Sequence, residues 1–251
     1  MDKEILYLGD TSLNANAAYL AGIMTHYNIC FDYLGSDEKL DPILLDNSYK
    51  AVIISDYPSC NFSAEQLNSI IEKVNTGTGL LMLGGWDSYT GLEGQYNKTA
   101  LKDVLPVIMT DTDDRVNCSS PCLVEKNCEH KIIEALPFNE NTPGIGGYNR
   151  FKSKPESTTV LSSRRFQSCR VNGKFEFTAS QQSDPLLVTG RFGQGNVTSF
   201  ATDVAPHWVG GLVDWGNERV IAEAANSYQI EVGSWYAKFF AQMLRWTAQT
   251  L

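Results

Sequence analysis

The chain has 251 residues, 43% of them hydrophobic and 11% aromatic, with 20 Lys and Arg against 29 Asp and Glu for a formal net charge of −9. A chain of this length buries about three quarters of its unfolded surface in one sizeable core, so a single domain over residues 1–251 is expected, and its acidic balance repels phosphate backbones and anionic lipid surfaces, excluding nucleic acid and membrane as partners. No apolar run approaches the roughly 18 residues of a membrane span, and Met1-Asp-Lys-Glu-Ile5 lacks the basic start of a secretory signal, so a cytoplasmic location with six free thiols is expected.

Ile5 to Leu8 is a short apolar run ending at Gly9-Asp10, and Leu13, Ala17, Leu20, Ala21 and Met24 then fall on one helical face. Ile29 to Leu34 and a weaker helical segment around Ile43 to Leu45 repeat the cycle. In the third cycle Ala51 to Ile54 runs into Ser55-Asp56, and Ser63 with Gln66 three residues later forms a capping box. Leu67, Ile70, Ile71 and Val74 supply that helix's apolar face, and Gly77 sits at its stop. A fourth strand, Leu80 to Leu83, leads into Gly84-Gly85. Such apolar strands alternating with helices predict a parallel sheet covered on both faces.

Residues 105 to 180 are less regular, with Pro106, Pro121, Pro137, Pro143 and Pro155, and predict loops and short strands. Pro185–Phe192 and Asn196–Thr202 flank Gly193-Gln-Gly195 and predict an antiparallel hairpin near the C-terminus. In the last helix Val232, Trp235, Tyr236, Phe239, Phe240, Met243 and Leu244 share one face, and Trp235 and Trp246 are expected in the core.

In an open parallel sheet, ligands bind beyond the carboxyl ends of the strands. The residues standing there are Asp10, Asp56, the Trp86-Asp87-Ser88 run and the Asp203…His207-Trp208 segment. Confined acids repel one another and lose hydration, which favours a functional reading; Asp and Ser are equally at home as caps and turn formers, and for Asp10 and Asp56 both readings stand. Asp203 and His207 share one short loop and are the expected acid–base pair, since an imidazole held by a carboxylate is poised near neutral pH. Gly84 and Gly85 allow a sharp turn, with Trp86 as a pocket wall. Cys118, Cys122, Cys128 and His130 lack the paired Cys-x2-Cys spacing of a zinc site, and neither metal nor cofactor is expected. His26, at a helix end, takes no catalytic role.

The ordered set Leu81-Met-Leu-Gly-Gly-Trp-Asp-Ser-Tyr89, Leu101–Val107, Gly147-Tyr-Asn149, Asp184–Val188, Gly193-Gln-Gly195 and Ala201–Trp208 spans nearly the whole chain. It resembles the class I glutamine amidotransferase-like fold, and more narrowly the uncharacterised "putative glutamine amidotransferase" family related to ThuA-like proteins. The resemblance implies an α/β, flavodoxin-like, mostly parallel sheet with helices on both faces. Class I enzymes place a catalytic cysteine in a Gly-x-Cys-x-Gly elbow and a His-x-Glu pair later in the chain. Here the elbow reads Gly84-Gly-Trp86-Asp-Ser88 and His207 is followed by Trp208 and Val209, so glutaminase activity is not expected.

The leading expectation is a pocket for a small polar molecule such as a carbohydrate. Trp86, Tyr148 and Trp208 supply stacking surface; Asp10, Asp56, Asp87, Ser88, Asn149, Asp203 and His207 supply polar groups. Two alternatives stand beside it: a non-catalytic homo-oligomeric platform that buries the Trp-rich C-terminal face, and a cysteine hydrolase using Cys60, for which a neighbouring base is required.

Overall fold

The computed structural model describes residues 3–251; Met1 and Asp2, where the reading for a secretory signal begins, lie outside them. Ile5–Gly9 (β1), Ala17–His26 (α1), Phe31–Leu34 (β2), Pro42–Leu45 (α2), Ala51–Ser55 (β3), Ala64–Asn75 (α3) and Gly79–Leu83 (β4) form the alternating first third. β1, β3 and β4 are buried at every position, as strands covered on both faces must be. The capping box of α3 forms: Ser63 Oγ accepts from Gln66 N, and Gln66 Oε1 accepts from Ser63 N.

Leu101–Val104 (α4), Val107–Met109 (β5), Arg115–Asn117 (β6), Cys122–Lys126 (β7), Gly147–Asn149 (β8), Phe151–Ser153 (β9), Thr158–Val171 (β10) and Lys174–Ala179 (β11) follow. Asp184–Phe192 (β12) and Gly195–Phe200 (β13) make the expected hairpin. Pro206–Val209 (α5), Arg219–Ala222 (β14), Ile230–Gly233 (β15) and Ser234–Thr247 (α6) close the chain.

The main sheet runs β11-β10-β12-β13-β4-β3-β1-β2, with β7 also paired to β10. From β2 through β13 the neighbours are parallel; β12, β10, β11 and β7 pair antiparallel. Three short ribbons, β5 with β9, β6 with β8 and β14 with β15, lie outside it. On the core side of α6, Phe239 and Phe240 meet Phe200 of β13 edge to face, a geometry that aromatic quadrupoles favour.

Residues 105 to 180 hold the expected loops and short strands, with one addition: β10, 14 residues long, which turns into β11 at Asn172-Gly173, a two-residue hairpin pair. Trp235 packs on Trp215 at 5.5 Å and Trp246 on His130 at 5.0 Å; both rings are half-buried against the core.

Candidate functional site

Parallel strands β1, β3, β4 and β13 bring their carboxyl ends to one edge. β1 and β3 each end in an aspartate with positive φ, 44° at Asp10 and 45° at Asp56, a conformation that Asp tolerates better than most side chains. Asp10 is buried, and its Oδ2 accepts from Tyr7 Oη at 2.8 Å and Ser55 Oγ at 3.3 Å. Asp56 Oδ1 accepts from Asp87 N at 2.7 Å, and Asp56 N donates to Ser88 Oγ at 3.1 Å. Asp203, also buried, folds back on the segment before α5: its Oδ1 accepts from Val204 N and from Ala205 N at 3.2 Å.

Among the described residues no cation offsets these three carboxyls, and the charges of Asp10 and Asp56 act on their neighbours. Burial raises Asp10 to about 6 against the opposing bonds from Tyr7 and Ser55. Burial, then the charge of Asp10, raises Asp56 to about 8. Asp203 is pushed well above the carboxylate range by burial and by the charges of Asp10 and Asp56. Loss of hydration, with like charges crowding Asp56 and Asp203, is the physical cause; at neutral pH it leaves Asp10 largely an acceptor, while Asp56 and Asp203 are held toward acids that donate as well as accept.

The turn after β4 closes over this cluster. A Cβ on Gly85, whose φ is 159°, would sit 2.0 Å from Asp56 Oδ1, and one on Gly84 would sit 2.0 Å from Ala201 O; only glycine permits these approaches. Asn149 of β8 holds the turn from the other side. Its Oδ1 accepts from Gly85 N at 2.9 Å, and its Nδ2 donates to Gly85 O at 3.1 Å and to Asp114 Oδ1 at 2.8 Å. Asn149 is therefore a buried positioning residue for the turn, and so is Ser88, which is fully buried against Asp56 N.

At the rim, Trp86 is 43% exposed. Its ring meets the exposed His207 ring at 5.9 Å, tilted 65°, and the Arg115 guanidinium stands 5.0 Å from its centroid, a cation–π contact. Asp87 is half-buried beside this group; burial raises its pKa while Arg115 opposes the rise. Arg115 escaped notice in the sequence because nothing local marks it: its contact with Trp86 is made by β6 lying beside the turn.

Three placements correct the expected site. No hydrogen bond joins Asp203 to His207 among the described residues: Asp203 faces inward to the amides of Val204 and Ala205 and to its fellow acids, while His207 faces Trp86. Trp208 is 1% exposed, with Nε1 donating to Asn117 Oδ1 at 2.8 Å. Tyr148 is fully buried, its hydroxyl donating to Asp184. Neither ring is a stacking wall; both are core, with β8 packed against α5.

Among the described residues no group of three or more His, Cys, Asp or Glu is placed to hold a metal ion, and no helix is long and apolar enough to cross a membrane. Cys60 is exposed on the Ser59–Asn61 turn. A hollow of about 300 Å³ at the opposite edge of the sheet, by Ile5 and Asn28, has its charged groups already partnered: Lys50 pairs with Glu4 in its own lining, and Arg245 donates to Tyr27 O.

The family model described as "Putative glutamine amidotransferase" matches residues 36–222. Among solved structures, the cytoplasmic protein STM1381 from Salmonella typhimurium LT2 is 30% identical, with 82% of this chain and 90% of that one covered at a TM-score of 0.65. The cytoplasmic protein STM3548 from Salmonella typhimurium is 24% identical over 97% of this chain and 98% of that one, with a TM-score of 0.71. A Thermoplasma acidophilum protein described as a "putative gmp synthase subunit a" shares the fold at 9% identity and a TM-score of 0.51, over 99% of this chain and 96% of that one. No curated protein matches.

Proposed function

The chain belongs to the "Putative glutamine amidotransferase" family, and from that premise we propose that its carboxyl-edge cleft binds a small, neutral, polyhydroxylated molecule such as a carbohydrate, without glutaminase chemistry. One observation carries the reading: an exposed Trp86, flanked by His207 and Arg115, stands at the mouth of a cluster in which Asp10, Asp56 and Asp203 are held toward their protonated forms. An aromatic face takes up the apolar face of a sugar ring. Carboxylic acids that both donate and accept match hydroxyl groups, which do the same.

The turn supports the second half of the proposal. Thioester chemistry needs a thiol at the elbow, and Gly84-Gly85-Trp86 presents an indole there. A cytoplasmic site of action is part of the same reading, and rests on the likeness to two proteins described as cytoplasmic.

The test is calorimetric titration with a panel of neutral mono- and disaccharides and sugar alcohols, in parallel with a glutaminase assay. Binding of at least one member, lost in Trp86→Ala and weakened about 10-fold in Trp86→Phe, is the expected result. No binding across the panel, or ammonia release from glutamine, overturns it.

A further inference from the structure

β11 is the outermost strand of the sheet and is exposed at all of its positions. Its turn residues, Asn172 and Gly173, have φ of 52° and 81°, the two-residue type I′ hairpin. In that hairpin the flanking pair, Val171 with Lys174, exchanges both backbone hydrogen bonds, and bonded pairs alternate along the ladder. The backbone groups of Phe175 and Phe177 therefore face the open edge. Their side chains share one face of the arm, 69% and 54% exposed, while Lys174, Glu176 and Thr178 take the other. The ladder from Phe166↔Ala179 to Val171↔Lys174 carries no bulge. A regular, unpaired, aromatic edge is a template for another strand, and a two-stranded arm has nothing of its own to cover these rings.

We propose that β11 pairs antiparallel with β11 of a second copy of this chain, Phe175 opposite the partner's Phe175 on a two-fold axis. Charge selects the register. In this alignment Lys174 faces the partner's Glu176, and the symmetry makes that pair twice. Since only alternate residues present bonding groups to the open edge, the next register sets Glu176 against the partner's Glu176, and the one after sets both charges against uncharged residues. The Phe175-centred register is the one in which ring contact and charge agree, and it extends the main sheet continuously across two molecules.

Sedimentation velocity and light scattering of the full chain test this between about 1 and 100 µM. The expected result is a dimer of the 27.8 kDa chain, converted to monomer by Phe175→Ser. Lys174→Glu and Glu176→Lys each weaken the dimer about 10-fold, and the double swap K174E/E176K restores it to within about 3-fold, because the pairing is regenerated with its sign reversed. These side chains are exposed, so at concentrations low enough for the parent itself to be monomeric the thermal midpoints of the variants should match it, and unfolding cannot mimic dissociation. A wild-type monomer at 100 µM, a dimer indifferent to Phe175→Ser, or a double swap as weak as the singles overturns the proposal.

Discussion

The indole of Trp86 and the imidazole of His207 meet edge to face with ring centroids 5.9 Å apart, although one stands on the turn after β4 and the other in α5. Arg115, from β6, completes the group at 5.0 Å from the indole. Three separate elements thus build a half-exposed aromatic and cationic rim, while Asp10 and Asp203, after β1 and β13, are buried and Asp56, after β3, is half-buried. An open stacking surface beside acids stripped of hydration is the contrast that the proposed ligand exploits.

Stability should fall with rising pH. Asp56 is raised to about 8 and Asp10 to about 6 from an ordinary value of 3.8, so the native state binds more protons than the unfolded chain between these values. The stability they contribute is fully present below about pH 4; the Asp10 share is lost through about 6 and the Asp56 share through about 8. The melting temperature should decline from pH 5 to pH 8.5. Asp56→Asn, which keeps an oxygen for Asp87 N, should flatten that decline and raise the midpoint at pH 8.5 by roughly 3–8 °C. A variant as pH-sensitive as the parent would mean that Asp56 is already ionised at neutral pH.

Gly84→Ala should destabilise the protein strongly. The added Cβ meets the backbone oxygen of Ala201 at 2.0 Å, and neither β4 nor the segment after β13 can yield without breaking the Gly84 N to Thr202 O bond. A loss on the order of 3 kcal/mol is expected in urea unfolding. A loss under 1 kcal/mol would show that this edge is pliable.

Asn149→Leu fills the same volume but removes three hydrogen bonds at once, leaving Gly85 N, Gly85 O and Asp114 Oδ1 without their partner. Each stranded buried group costs about 1–3 kcal/mol. Unfolding should report a loss near the sum of two such groups, with sugar binding weakened because the turn that carries Trp86 loosens. An unchanged unfolding midpoint would assign the turn's rigidity to the glycines and not to Asn149.

Much of the fold was legible because its signals are local. The apolar runs of β1, β3 and β4, the Ser63–Gln66 box and the glycine turn of the β12–β13 hairpin each need only neighbours in the chain. The long β10 was obscured by prolines at both ends of its region and by its polar outer half, which covers no core. Asn172-Gly173 did carry the hairpin signal, between alternating residues.

By composition and periodicity, the chain determined its own sheet, its helical cover and the set of residues at the strand ends. Which of those residues face one another was decided only in three dimensions. Asp203 turned inward to the amides of Val204 and Ala205 while His207, four positions on, turned outward to Trp86; Trp208 and Tyr148 sank into the core; Arg115 arrived from a remote ribbon. The reason is that Asp203 stands in the irregular segment before Pro206, outside the helical turn that carries His207, while within that turn successive side chains rotate by about 100°, so adjacent His207 and Trp208 diverge and burial rewards the one that finds an apolar wall.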